Sequence, residues 1–272
     1  MMFPEIMKPF YIRQMTRNLP GFCKTHWTKF NLMEQVEKSL LTGNLNWVPY
    51  SGQGLSATDF VQVFKISAGN YFRHIDAAAT LSATESAKAS RFPHQQSREN
   101  YTVRKYLLRQ LLSRFLQVPA AEIVFQMQGN KKPIVDGVSF NVSHTKDHIV
   151  MAFSESAVGI DVEYIDAHFQ YREVIDTCFS PAEADYIENS DTPLLNFYTL
   201  WTRKEALLKA SAEGLVDELN KVPSLAPYVL RNAAQYKIDS HMATKESLLS
   251  IAVSGRPKEI RYWDLADPLI FF

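Results

Sequence analysis

Two stretches of this chain read alike at a distance close to one hundred residues. Ser82-Ala83-Thr84-Glu85 and Ser180-Pro181-Ala182-Glu183 are both Ser-x-x-Glu boxes, 98 positions apart. In such a box the serine caps the third helical N–H and the glutamate reaches back to the serine N–H, so each marks a helix start. Pro181 adds a residue preorganised for a first helical position. A second pair, Ser143-His144 and Ser240-His241, lies 97 positions apart. The first continues as Thr145-Lys146-Asp147 into the apolar run 149–154, and the second passes through Thr244-Lys245-Glu246 into 249–254.

The predicted elements around these landmarks fall in the same order twice. A strand is expected at 60–66, a helix from Ser82 towards Phe92, and a longer helix over 98–117. On that longer helix Tyr101, Leu108, Leu111, Leu112 and Phe115 recur on one face. Strands are expected at 123–127, 138–142 and 148–154. The second series has a strand at 158–163, a helix opened by Ser180, a long helix at 194–212, and strands at 235–238 and 248–254. Two landmarks with one period predict a duplicated α+β unit, although short motifs can also coincide by chance. A duplicated unit offers a ligand cleft between its halves. The division expected is an N-terminal extension over 1–58, a first half over 59–155, a second half over 156–255 and a tail over 256–272. Within the extension only 31–41 reads as helix, and 49–54 reads as a loop.

Composition narrows the function classes. The chain has 272 residues, 46% of them apolar and 21% charged, which suits packed cores and not disorder. Its 29 basic and 29 acidic residues cancel, so global charge favours neither nucleic acid nor membrane, and any anion site must be local. Two cysteines, Cys23 and Cys178, are too few for a secreted disulfide scaffold. No apolar run is long enough to span a bilayer, and no signal-peptide core is present, so the cytoplasm is the expected compartment.

Five local patterns carry chemistry. In Val158-Gly159-Ile160-Asp161-Val162-Glu163 the alternation of a strand places Asp161 and Glu163 on one face and Ile160 and Val162 on the other. Two adjacent carboxylates repel unless a cation neutralises them, and Mg²⁺ takes such oxygen donors. In Trp201-Thr202-Arg203-Lys204-Glu205-Ala206-Leu207-Leu208-Lys209 the residues Glu205 and Lys209 share a helical face, with Lys204 beside them. Phe140-Asn141-Val142-Ser143-His144 ends a strand with an imidazole able to donate to a phosphate oxygen. Lys131-Lys132-Pro133 is a basic turn, and Lys88 and Arg91 can share one helical face. Taken singly, each pattern is better read as a solvated acidic pair, a surface ion pair, a turn histidine or a solvated face.

Together, in this order, they resemble the Sfp-type 4′-phosphopantetheinyl transferases over roughly residues 60–254. The resemblance implies a pseudo-dimer of two similar α+β halves with coenzyme A in the cleft between them. It implies transfer of the phosphopantetheine arm of coenzyme A to a serine hydroxyl of an apo carrier protein, with adenosine 3′,5′-bisphosphate released. By the same resemblance Asp161, Glu163 and Glu205 are the Mg²⁺ ligands. Glu205, Asp161 and Lys209 are the catalytic residues, and the resemblance leaves open whether Glu205 is base, metal ligand or both. Cofactor contacts fall on Lys88, Arg91, Lys132, Pro133, Ser143, His144, Asp161, Lys204 and Lys209. The chain departs from the family at Lys131, where glycine is usual, and at Glu85, where some relatives have lysine. The partners implied are an acyl or peptidyl carrier protein and coenzyme A, without nucleic acid or membrane insertion, and the pseudo-dimer implies a monomer. A carrier-docking surface is expected over 167–177 and around Phe179, with Arg172 a contact. Two other classes compete: a Mg²⁺-dependent phosphohydrolase, and a coenzyme A or carrier-binding module without turnover.

Overall fold

The computed structural model describes residues 40–271 except 59, 129–131, 215 and 256–258. The expected helical stretch at 31–41 therefore lies almost wholly outside the described residues, as does the departure at Lys131.

The first half opens with a strand, β3 (Phe60–Ser67), which β1 (Leu41–Asn44) and β2 (Val48–Pro49) precede in the chain. A short α1 (Ala77–Thr80), α2 (Ala83–Ser90) and the long α3 (Gln95–Leu116) follow. The hairpin β4 (Gln126–Gln128) and β5 (Lys132–Ile134) leads to β6 (Ser139–Thr145) and β7 (His148–Ser154). The second half repeats the plan: β8 (Val158–Tyr164), a short α4 (Ile175–Cys178), α5 (Pro181–Glu188), α6 (Pro193–Ala210), β9 (Tyr228–Arg231), β10 (Ala234–Met242) and β11 (Ser247–Ser254). A final strand, β12 (Glu259–Asp264), ends the series.

Both predicted capping boxes form. Ser82 accepts from the Glu85 N–H and Ser180 from the Glu183 N–H, with each glutamate returning to its serine N–H. Each cap contributes about 1 kcal/mol. The predicted strand at 123–127 is shorter than expected. Ile123 is drawn into the core while Val124 faces solvent, and pairing begins only at Gln126.

The pairing order is the same in both halves. β3, β7 and β6 are antiparallel neighbours in one sheet, and β8, β11 and β10 are antiparallel neighbours in the other. The ends of the chain then cross over. β1 pairs parallel with β10 of the second half, and β12 returns to pair parallel with β3 of the first, with β2 outside it. The segments expected as extension and tail thus complete one sheet each.

Three cores stack as layers. Val61, Val63, Val150 and Ala152 face Val158, Ile160, Val162, Leu249 and Ile251 between the sheets. Phe64, Ile66, Met151 and Phe153 pack under Leu107, Leu111 and Leu112 of α3. Leu248, Ala252 and Ile238 pack under α6 with Leu207, Trp201 and Phe197. The two sheets therefore bury their inner faces against each other, and each carries its helices outside.

Candidate active site

β6 and β8 are edge strands of different sheets, and side chains join them. The Ile160 N–H donates to Asn141 Oδ1 at 2.9 Å, and the Tyr164 N–H donates to Thr145 Oγ1 at 3.1 Å. Between these two, Ser143 Oγ donates to Asp161 Oδ1 at 2.9 Å. Alternation puts Asn141, Ser143 and Thr145 on one side of β6, so three polar residues there replace the backbone ladder that β8 lacks. The sequence reading singled out Ser143 and missed the matching roles of Asn141 and Thr145.

Asp161 is fully buried. Its Oδ1 accepts from Lys209 Nζ at 2.6 Å, and Lys209 also donates to Ser143 Oγ and the Ile160 carbonyl, each at 3.2 Å. The ammonium compensates a carboxylate that burial alone would make costly. α6 can come this close to β8 because of Gly159. A Cβ at Gly159 would stand 2.1 Å from the Ala206 carbonyl oxygen and 2.3 Å from the Ala210 nitrogen. A lone glycine inside a strand is the signal for such an approach, and it went unused in the sequence reading.

Lys132 extends the cluster from the first half. Its Nζ donates to the Lys209 carbonyl at 2.7 Å and to the Val158 carbonyl at 3.1 Å. Both partners are main-chain carbonyls at the C-terminal turn of α6 and the start of β8. Burial, with Lys209 nearby, pulls its pKa down to about 8. The same lysine lines a cleft of about 560 Å³ between the halves, together with Val138, Ser139, Ala157, Ser211 and Tyr236. Pro133 is held in the β4–β5 hairpin opposite Met127.

Ser143, Asp161, Lys209 and Lys132 are thus linked by hydrogen bonds. Glu163 follows Asp161 on the same face of β8 and is half-buried, and Glu205 is buried one turn before Lys209 on α6. No group of three or more His, Cys, Asp or Glu side chains among the described residues is gathered as a metal-holding set. His144 is half-buried and, by alternation, lies on the face of β6 that Phe140 and Val142 turn towards α3. Lys88 and Arg91 are exposed at the end of α2, with Lys88 Nζ 5.6 Å from the Tyr101 ring centroid.

Two of the expected residues are held in the core of the second half. Lys204, expected as a cofactor contact, is fully buried, with its Nζ 2.8 Å from Glu183 Oε2 and donating also to the Leu219 and Val222 carbonyls. A helix turns 100° per residue, and that turn carries Lys204 into the core beside Glu205. Phe179, in the loop expected to meet the carrier, is itself buried against Phe197, with Lys204 Nζ over its ring. Arg172 is exposed and lies over the Tyr171 ring, with the exposed Glu173 and Asp176 close by in sequence. Glu85, the other departure noted in the sequence, is the buried anchor of its capping box and pairs with Arg109 at 2.7 Å.

The site thus sets a lysine-paired carboxylate at the seam of two like halves, beside an inter-half cleft lined by a second lysine. The profile of the 4'-phosphopantetheinyl transferase superfamily matches residues 157–252, and that of 4'-phosphopantetheinyl transferase, N-terminal, matches 71–156. The chain is 26% identical to 4'-phosphopantetheinyl transferase HetI of Nostoc sp. over 231 residues, covering 80% of this chain and 97% of HetI. It is 29% identical to 4'-phosphopantetheinyl transferase Sfp of Bacillus subtilis over 140 residues, 50% of this chain and 62% of Sfp. With 4'-phosphopantetheinyl transferase AcpT of Salmonella typhi it shares 34% identity over 138 residues, 48% of this chain and 69% of AcpT. Two matched halves and relatives of one activity lead to one conclusion: the chain belongs to the 4'-phosphopantetheinyl transferase family of enzymes.

Proposed function

We propose that this enzyme transfers the 4′-phosphopantetheine arm of coenzyme A to a serine hydroxyl of an apo acyl or peptidyl carrier protein in the cytoplasm, with Mg²⁺. The observation that carries the reading is the Ser143–Asp161–Lys209–Lys132 cluster, which draws both halves onto one buried carboxylate beside the cleft. Lys132 supports it further, because a buried ammonium whose partners among the described residues are main-chain carbonyls gains from an incoming phosphate.

Asp161, Glu163 and Glu205 are hard oxygen donors of the type Mg²⁺ takes, and Asp161 and Glu163 share one strand face, so the donor set fits that ion in kind. These three would hold it. When bound, Mg²⁺ neutralises charge on the cofactor's pyrophosphate and on the leaving group. Lys209 and Lys132 add fixed positive charge along the same side, which holds the phosphates without reorganisation. The serine oxygen forms a bond to the phosphorus nearer the pantetheine, and the bond from that phosphorus to the bridging oxygen breaks. Adenosine 3′,5′-bisphosphate leaves with the electron pair. Glu205 is the proposed acceptor of the serine proton.

The test mixes the enzyme, Mg²⁺ and coenzyme A with a panel of apo carriers and reads intact-protein mass. A gain of one phosphopantetheinyl group, lost with EDTA and in Asp161→Ala, is the expected result. Coenzyme A cleaved without a carrier adduct would favour the phosphohydrolase. Coenzyme A bound with neither cleavage nor transfer would favour a binding module.

A further inference from the structure

Glu183 and Lys204 form a buried hub that the reaction described above does not use. Glu183 Oε1 accepts from the Ser224 N–H at 2.9 Å and from Ser224 Oγ at 2.6 Å, while Oε2 accepts from Lys204. Lys204 also binds the carbonyls of Leu219 and Val222. Its neighbour Arg203, equally buried, donates to the carbonyls of Ser224 (2.6 Å), Ala226 (2.6 Å) and Ile238 (3.1 Å) and to Ser240 Oγ. Two consecutive bases of α6 thus spend their donors on α5, on the segment that leaves α6, and on β10.

The first half contains the same device. Glu85, at the same place in its capping box, accepts from Arg109 of α3, and Arg109 donates to the Ala120 and Ile123 carbonyls of the segment that leaves α3. There, however, the residue after the hub base is Gln110, and no proposed reacting group follows. In the second half the next residue is Glu205. Adjacent helical residues differ by 100° in azimuth, so clamping Lys204 inward sets the direction of Glu205 and, one turn on, of Lys209.

We propose that the Glu183–Lys204 pair is a positioning device that holds Glu205 and Lys209 towards β8, and that its first-half copy serves the fold alone. The kinetic part of this rests on the proposed transfer reaction; the helix-orientation part does not.

The experiment compares Lys204→Met, Glu183→Gln, the Glu183→Gln/Lys204→Met double variant and Arg109→Met. It reads thermal melting, kcat, KM for coenzyme A, and amide exchange of α6. Lys204→Met should lower kcat by about 10²-fold, the scale of a 1 Å misplacement, with KM for coenzyme A within about twofold. The double variant, freed of a lone buried charge, should regain stability while kcat stays low. Amides 205–209 should exchange faster in Lys204→Met and not in Arg109→Met, whose kcat should hold despite a lower melting temperature. A raised KM for coenzyme A with kcat intact would make Lys204 a phosphate contact and overturn the proposal. So would a kcat that returns with stability in the double variant, which also decides the matter if Lys204→Met does not fold. If the wild-type enzyme modifies no carrier, the proposed reaction fails. Equal exchange of 205–209 in Lys204→Met and wild type would still overturn the positioning role.

Discussion

The two halves share a plan and differ at one seam, where the first strand of each meets its long helix. In the first half that seam is apolar. Phe64 and Ile66 of β3 pack with Leu107 and Leu111 of α3 and with Met151 and Phe153 of β7. In the second half the strand presents Gly159, Asp161 and Glu163 to the helix, which answers Asp161 with Lys209. The adjoining strand follows suit: Met151 of β7 faces the first seam, whereas Ser250 of β11 bonds to Thr202 at 2.7 Å and Ser240 at 2.8 Å in the second. Large side chains fill the first seam, whereas backbone meets backbone across Gly159 in the second. One copy of the duplicated unit keeps its seam for stability, and the other gives that stability up for a buried charge pair. The polar seam survives because Lys209 compensates Asp161 and because Ser143, Asn141 and Thr145 tie β8 to the other half.

This contrast can be broken from either side. The largest effect is expected for Asp161→Ala, which should lower transfer by about 10³-fold or more in the carrier mass assay, because charge stabilisation of several kcal/mol is lost. Phe64→Ala at the first seam should instead cost about 3–5 kcal/mol of stability by denaturant titration, with kcat of the folded fraction unchanged. Substantial transfer by Asp161→Ala would remove the distinction between the seams. Gly159→Ala comes next. Its methyl group would press on the backbone of α6, so the helix must lift, and kcat should fall by about 10²-fold. A folded variant with normal kcat would show that close approach of α6 is not needed.

Lys132 offers a pH test of how the first half serves the second. Its pKa near 8 lies below the ordinary 10.5. Below about pH 8 the amine is charged in folded and unfolded chains alike. Between that pH and 10.5 the unfolded chain alone keeps the proton, so this group makes stability rise across the window. Over the same window the folded enzyme loses a charge it offers to an anionic cofactor. KM for coenzyme A should therefore climb above about pH 8, by about tenfold per unit, and Lys132→Met should show a higher but flat KM. A wild-type profile as flat as that of the variant would take Lys132 out of cofactor binding. The smallest effect is expected at Arg172, exposed in the second half with acidic residues nearby. Arg172→Glu should raise KM for the carrier about two- to fivefold and leave KM for coenzyme A alone, since rim charges act weakly. An unchanged KM for the carrier would remove this surface from docking.

Sequence periodicity alone was enough to place both capping boxes, the long helices and the strands around them, because these depend on local hydrogen bonding and on which face is apolar. It also put Asp161 and Glu163 on one side of β8, since side-chain alternation is a property of any strand. The ends of the chain were another matter. Nothing local to residues 41–44 says that they pair with 240–242, nor that 259–264 return to β3; such pairings arise only when two sheets have edges to complete. The fate of each lysine was equally hidden. Lys204 and Lys209 stand in one motif on one helix, yet the first ends in the core on Glu183 and the second on Asp161. A sequence lists charges in order along a helix, while burial and partner are set by what lies across from each side chain, and only tertiary packing decides that.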